Sequence, residues 1–130
     1  MAVAKRVKIG GVYYKGYVCA VSSSTGDYTV IIVNSGGGAM NSLSIVPDTC
    51  GSGDTMDIQH FDDAGGTGSI VAVIGENLYN LGRSVPINLD FPAAERIDSG
   101  HSVKFIYSNA ASKAMNVYIV AEYMGVQKTS

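Results

Sequence analysis

The sequence contains no tryptophan and only three prolines, and it carries few charges for its length. Asp, Glu, Lys and Arg make up 15% of the 130 residues, against roughly 25% in an ordinary soluble domain. The hydrophobic fraction is 46%, and a domain of this size cannot bury all of that material. Exposed apolar area usually marks an interface. We therefore expect a single domain, 1–130, that makes contact with other protein surfaces.

The sequence also lacks long apolar runs and a dense basic cluster. No stretch approaches the ~18 apolar residues of a membrane span, and the start, MAVAKRVKIGG, lacks the apolar core of a signal peptide. We expect no membrane contact and assembly in a cytoplasm. All eleven acids lie at or after Asp27, whereas residues 1–26 carry four cations. These cations are too sparse to indicate nucleic-acid binding, so no nucleic-acid partner is predicted.

Short apolar runs rich in Val, Ile and Tyr, separated by Gly- and Ser-rich turns, predict an all-β fold. Gly or Ser interrupts almost every run before it is long enough for a helix. About eight strands are expected, which favours an antiparallel two-sheet sandwich of jelly-roll type; a small Greek-key barrel is the alternative. The predicted strands are 12–21, 28–33, 43–46, 56–61, 70–74, 85–91, 103–107 and 115–123.

The patterns also predict local features of these strands. Residues 12–33 are expected to form a hairpin. The continuous apolar run 28–33 is expected to be buried on both faces, and the run 70–74 is expected to form a buried strand. A single helical turn is predicted at 92–96, after Pro92. In the last strand, alternation places Met115 and every second residue to Tyr123 on one buried face. The opposite face is not fully polar and is expected to meet another subunit.

No catalytic constellation emerges, and neither an enzyme nor a cofactor is predicted. His60 near Asp62 and Asp63 would suit a metal, but no second His or Cys lies nearby in sequence, so a strand end running into a hydrated acidic loop is favoured. The acids from Asp54 to Asp63 do not follow the EF-hand pattern. Cys19 is predicted to be a buried thiol rather than half of a disulfide with Cys50.

The eight tyrosines are better explained by interface or core packing than by a sugar-binding platform, which would usually include tryptophan. The basic residues at the start are predicted to form an extended N-terminal arm, 1–11, that reaches an acidic partner surface. Residues 127–130 are expected to be a loose tail. The predicted partner-contact residues are Lys5, Arg6, Lys8, Tyr13, Tyr118 and Val120.

The segment VPINLDFPAAERIDSGHSVKFIYSNAASKAMNVYIVAEY resembles the small β-sandwich head decoration, or cement, proteins of tailed bacteriophages. The likeness consists of the strand ending in Asp90-Phe91-Pro92, the turn at Ser99-Gly100 and the paired final strands. It implies a virion structural protein on the capsid surface that stabilises the shell by bridging subunits of the major capsid protein. It also implies a homo-oligomer, with a trimer favoured. The alternative hypothesis is a carbohydrate- or receptor-binding module of a virion spike or fibre.

Overall fold

A computed structural model of the protein describes residues 5–9, 12–33, 38–78 and 87–124. This part of the chain forms nine β-strands and contains no helix. None of its segments is therefore a helix that could cross a membrane. The strands are β1 (Lys5–Ile9), β2 (Val12–Val21), β3 (Gly26–Val33), β4 (Gly38–Pro47), β5 (Thr55–Phe61), β6 (Ile70–Leu78), β7 (Ile87–Ile97), β8 (Ser102–Asn109) and β9 (Met115–Met124).

The strands form two antiparallel sheets that pack face to face. One sheet has five strands in the order β1-β2-β9-β4-β7, and the other has four in the order β3-β8-β5-β6. The predicted all-β, two-sheet antiparallel sandwich is confirmed. The count differs from the expected eight because the basic segment at the start forms a strand of its own. β1 pairs with β2, with Lys5 opposite Gly16 and Ile9 opposite Val12.

The core lies between the sheets and is built by alternation along each strand. Met115, Val117, Ile119, Ala121 and Tyr123 are all buried on the inner face of β9, which confirms the predicted alternation. From the other sheet come the inward side chains of β8 and β5. The largest of these are Phe105, Tyr107, Met56 and Ile58.

The predicted hairpin over residues 12–33 is wrong. β2 pairs with β1 and β9 in the five-stranded sheet, whereas β3 pairs with β8 in the other sheet. The turn after Val21 therefore carries the chain from one sheet to the other. β3 is an edge strand with one buried face, because Val30 and Ile32 are buried while Thr29 is exposed.

β6 is not the buried strand that its apolar run predicts. It forms the edge of the four-stranded sheet beyond β5, and Ile70, Val71 and Val73 are each about half exposed, at 52%, 51% and 53%. Its pairing with β5 contains three register shifts. Bulges of this kind are common at sheet edges, where they hinder pairing with another chain.

The predicted helical turn at 92–96 is also wrong, because these residues lie within strand β7. β4 pairs with both ends of β7, with Met40 opposite Glu95 and Ser42 opposite Asp90. Between these two pairs β7 advances by five residues, whereas β4 advances by two. Residues 91–94 therefore form a bulge in β7. Pro92 is tolerated here because β7 is an edge strand. Residues 1–4, 10 and 11 of the predicted arm, Val85 and Pro86 of a predicted strand, and the tail 127–130 lie outside the described residues.

Candidate functional site

The outer face of the five-stranded sheet presents a mixed aromatic and polar surface, which we call the β9 face. β9 is the central strand, and its outward residues are Asn116, Tyr118, Val120 and Glu122. Tyr118 and Val120 are each 42% exposed. A large aromatic side chain held open to solvent at the centre of a sheet contributes little to the core, so it is available to a partner.

The residues beside β9 form rows across the face because the strands are in antiparallel register. Tyr118 lies between Val18 of β2 and Val46 of β4. In the next row, Val120 lies between Gly16 and Ser44. The following row contains Glu122, between Tyr14 and Ser42. The face therefore changes from apolar around Tyr118 to polar around Glu122.

A bulge in β4 builds the polar end of the β9 face. β4 advances two residues from Met40 to Ser42 while β9 advances one, from Tyr123 to Glu122. The extra residue, Asn41, turns its side chain toward Glu122. Asn41 Nδ2 donates to Glu122 Oε2 at 3.4 Å, and Ser42 Oγ donates to Oε1 at 3.3 Å. These bonds position the carboxylate, which retains lone pairs for a further donor.

A second polar pair continues the surface toward β7. Ser44 Oγ donates to Asn88 Oδ1 at 2.8 Å, and Asn88 is the register partner of Ser44. Asp90 lies opposite Ser42 in the neighbouring row. The face thus offers hydroxyl, amide and carboxylate groups next to an exposed ring.

The structure brings together some of the predicted contact residues and separates others. Tyr118 and Val120 lie two residues apart on the β9 face. Tyr13 pairs with Tyr123 of β9 in register. Lys5, Arg6 and Lys8 lie on the edge strand β1, beyond β2, and their contact with an acidic partner stays a prediction. Sequence analysis missed Asn41, Ser42 and Asn88, because only the bulge and the strand pairing bring them to this face.

His60 makes a hydrogen-bonded chain rather than a site with the neighbouring acids. Its Nδ1–H donates to Glu95 Oε2 at 2.8 Å, and its Nε2 lies 3.0 Å from Nδ1 of His101. His60 is on β5 and Glu95 is on β7, so this contact links the two sheets. His60 is buried. Nothing in the sequence signals the chain, since its members are separated by 35 and 41 residues.

The acids considered for calcium accept hydrogen bonds from the chain itself. Asp63 accepts from Gly68 N at 2.9 Å and from Thr67 N at 3.1 Å. The bond from Gly68 has the largest effect, and together these bonds hold the pKa of the Asp63 carboxyl below its usual range. Asp62 Oδ1 accepts from Ser69 N at 2.9 Å. Within the described ranges, no three His, Cys, Asp or Glu side chains are grouped so as to hold a metal ion.

Asp54 is a buried carboxylate that fastens two loops to the core. Its Oδ1 accepts from the backbone N–H groups of Ala110 and Ala111, at 2.7 and 3.0 Å. Its Oδ2 accepts from Gly51 N at 3.0 Å and from the Tyr107 hydroxyl at 2.5 Å. Burial alone would raise the pKa of Asp54, but the bonds from Tyr107 and the three backbone groups outweigh it and lower the pKa.

Comparison with known proteins identifies no family for this chain. No family model matches the sequence, and no curated protein matches it either. Among solved structures, the mitogen of Yersinia pseudotuberculosis is 16% identical, with a TM-score of 0.44 and 90% of each chain covered. A family 4 carbohydrate-binding module is 11% identical, with a TM-score of 0.43, covering 95% of this chain and 78% of its own.

A third similar structure is the family 11 carbohydrate-binding module of Clostridium thermocellum, solved in complex with a β-1,3-1,4-mixed-linked tetrasaccharide. It is 12% identical, with a TM-score of 0.39, covering 99% of this chain and 85% of its own. The protein is a small all-β sandwich that resembles jelly-roll carbohydrate-binding modules and a mitogen. None of the three is a phage decoration protein, and that resemblance stays a prediction.

Proposed function

We propose that this protein is a non-catalytic carbohydrate-binding module that holds a neutral glycan on the β9 face. This was the alternative hypothesis from the sequence, without its virion setting. The observation that carries it is the exposure of Tyr118 at the centre of the five-stranded sheet, beside a row of hydrogen-bonding side chains. A sugar ring has an apolar face that stacks on an aromatic ring and hydroxyls that need donors and acceptors at its edge.

The polar groups on this face suit a neutral ligand better than an acidic one. Glu122 and Asp90 occupy one row, on either side of Ser42. A row that contains two carboxylates would repel the carboxylates of a polyuronate. They would accept hydrogen bonds readily from the hydroxyls of a neutral sugar.

Several groups of the face are also held in place by strand pairing and hydrogen bonds, which reduces the entropy lost on binding. Tyr118 lies on a strand paired on both sides, with β2 and β4. Asn41 and Ser42 already hold Glu122, and Ser44 already holds Asn88. Side chains positioned before a ligand arrives cost less to order in the complex.

Affinity electrophoresis tests this function directly. Native gels are cast with soluble xylan, mixed-linkage β-glucan, galactomannan or polygalacturonate, and retardation is compared with a gel without polymer. We expect at least one neutral polymer to retard the wild-type protein and polygalacturonate to leave it unaffected. Failure of all the neutral polymers to retard the protein would refute the proposal.

Variants at Tyr118 locate the site. Tyr118→Ala removes the ring, and we expect affinity for the retarding polymer to fall about tenfold, which corresponds to about 1.4 kcal/mol. Tyr118→Phe keeps the ring and is the matched control, with a loss below about threefold. Because Tyr118 is not part of the buried core, both variants should remain folded, with Tyr118→Ala the less stable of the two since alanine favours strands less than aromatic residues do. An unchanged affinity in Tyr118→Ala would place the site elsewhere.

The second candidate is the virion structural protein implied by the sequence resemblance. It is favoured by one observation, the apolar edge strand β6, where Ile70, Val71 and Val73 are half exposed together. In this proposal, the protein binds the capsid surface as a homo-oligomer, with a trimer favoured, and bridges subunits of the major capsid protein. The apolar edge would be buried in those contacts.

Light scattering and co-sedimentation with expanded, empty phage heads test this second candidate. Val73→Lys places a charge on the apolar edge and should abolish sedimentation with the heads if the edge is the contact. Thr29→Lys, on the opposite edge of the same sheet, is the matched control and should sediment normally. A monomeric protein that never sediments with heads contradicts this candidate and leaves the glycan proposal intact.

A further inference from the structure

Gly16 occupies a position where the fold itself gives no reason for a glycine. It lies inside β2, a ten-residue strand, and pairs in regular register with Lys5 of β1 and Val120 of β9. Glycine in a strand interior weakens the strand, because it has no side chain to pack and loses more conformational freedom on folding. Such a glycine often marks a place where another molecule approaches the backbone closely.

Neither backbone conformation nor crowding requires glycine at this position. Gly16 is not among the glycines with a positive φ, which include Gly66 at 68°. A Cβ built at Gly16 would have the carbonyl oxygen of Ile119 as its nearest neighbour, at 4.0 Å. By contrast, a Cβ at Gly75 would lie 2.9 Å from Leu78 Cδ1. The described residues therefore leave room for a side chain at Gly16.

The missing side chain leaves a gap in the β9 face between two tyrosines. Lys15 and Tyr17 are buried, so the alternation along β2 directs Tyr14, Gly16 and Val18 outward. Tyr14 lies opposite Glu122, four residues along β9 from Tyr118. At the rise of an extended strand, that separation is about 13 Å. Gly16 and Val120 lie midway along it.

We infer that Gly16 forms the floor of a trough that takes the interior of an extended neutral oligosaccharide, and that it determines the specificity of the site for chain length. This inference rests on the proposed function of the β9 face. A ligand that contacts both tyrosines must span about 13 Å, which is longer than a single sugar ring. Between the two rings, the chain passes over Gly16, where any side chain would lift it off the sheet.

Two matched substitutions on β2 test the trough. Gly16→Val fills the gap with a residue that favours extended backbone, so its melting temperature should equal or exceed that of the wild type. Ala20→Val adds similar bulk at an exposed, outward position of the same strand, beyond Val18 and outside the span between the tyrosines. Tyr14→Ala removes one end of the proposed trough.

Calorimetric titration uses oligosaccharides of whichever neutral polymer retards the wild type, from the monosaccharide to the hexasaccharide. We expect affinity to rise with length until both tyrosines are reached. Gly16→Val should bind the hexasaccharide at least about tenfold more weakly than the wild type, because its methyl groups occupy the space of the ligand. Ala20→Val should bind the hexasaccharide as tightly as the wild type does. In Tyr14→Ala the affinity should no longer rise with oligosaccharide length.

The possible failures are distinguishable. If no neutral polymer retards the wild type, the proposed function itself is refuted. If a polymer does, but Gly16→Val binds the hexasaccharide as the wild type does, the trough is refuted while the function stands. Equal affinity of the wild type for the monosaccharide and the hexasaccharide would also refute the trough while the function stands.

Discussion

Replacing Asp54 by Asn tests whether one buried carboxylate holds two loops against the core. Asp54 is 2% exposed and accepts four hydrogen bonds, two at each oxygen. An Asn side chain keeps one acceptor oxygen and puts an NH₂ group in place of the other. If that group faces Gly51 N, two donors meet, and the Gly51 N–H loses its partner. The Tyr107 hydroxyl can rotate to accept instead of donating.

The expected cost follows from these contacts. A buried N–H left without a partner costs about 1–3 kcal/mol. The bonds that remain lose the charge that makes them roughly twice as strong as neutral ones. The sum is about 2–4 kcal/mol in the free energy of unfolding. For a domain of this length, each kcal/mol lowers the melting temperature by about 4 °C, so a decrease of about 8–16 °C is expected.

The pH dependence gives a second test. The pKa of Asp54 is lower in the folded protein than in the unfolded chain, so its stabilisation is present above the unfolded value of about 3.9. It is lost as the pH falls through the lower folded value. The melting temperatures of wild type and Asp54→Asn should therefore differ most near neutral pH and converge in acid, because a protonated Asp54 resembles the amide.

Thermal unfolding followed by circular dichroism across this pH range provides the measurement. Asp98→Asn is the control, since Asp98 forms an exposed ion pair with Arg96 and such pairs contribute about 0–1 kcal/mol. A difference between wild type and Asp54→Asn of less than about 1 kcal/mol at neutral pH would refute the role assigned to Asp54. A difference that stays constant into acid would refute the part assigned to its charge.

Three further predictions concern the thiols, the histidine chain and one turn. Cys19 and Cys50 are buried free thiols, and burial raises the pKa of Cys19 to about 11. Ellman's reagent should therefore label neither thiol until the protein is unfolded. Rapid labelling of the native protein would contradict this prediction. His60→Ala should lower the free energy of unfolding in urea by about 2–4 kcal/mol, and His101→Gln should lower it by less than half as much, because His101 is only half-buried. Equal losses would contradict the central place of His60 in the hydrogen-bonded chain. Gly66→Ala should cost about 1–2 kcal/mol, because φ there is 68°, and an unchanged urea midpoint would show that the turn relaxes.

The alternation of side chains along a strand predicts which of them enter the core, provided that only one face of the strand is buried. The inner face of β9 follows from a period of two along residues 115–123, and the structure confirms it. The apolar run 70–74 predicts a buried strand, yet β6 is an edge strand. β-branched residues favour an extended backbone in either position, and a local run contains no information on whether a neighbouring strand lies beyond it.

Pairing between distant residues explains most of what the sequence could not predict. The turn after Val21 has the composition of a hairpin, but β2 finds its partner in β9, almost a hundred residues later. At the candidate site, exposure of Tyr118 follows from alternation alone. The position of Asn41 beside Glu122 does not, because it depends on a bulge in β4 and on a contact that spans 81 residues.

The central place of β9 has a consequence for biosynthesis. β9 is the strand that joins β1 and β2 to β4 and β7, and it is the last of the nine in sequence. Until residue 124 has left the ribosome, two fragments of the five-stranded sheet have unpaired edges. Assembly must therefore wait for the end of β9, and nascent chains halted before residue 115 should depend on chaperones to avoid aggregation.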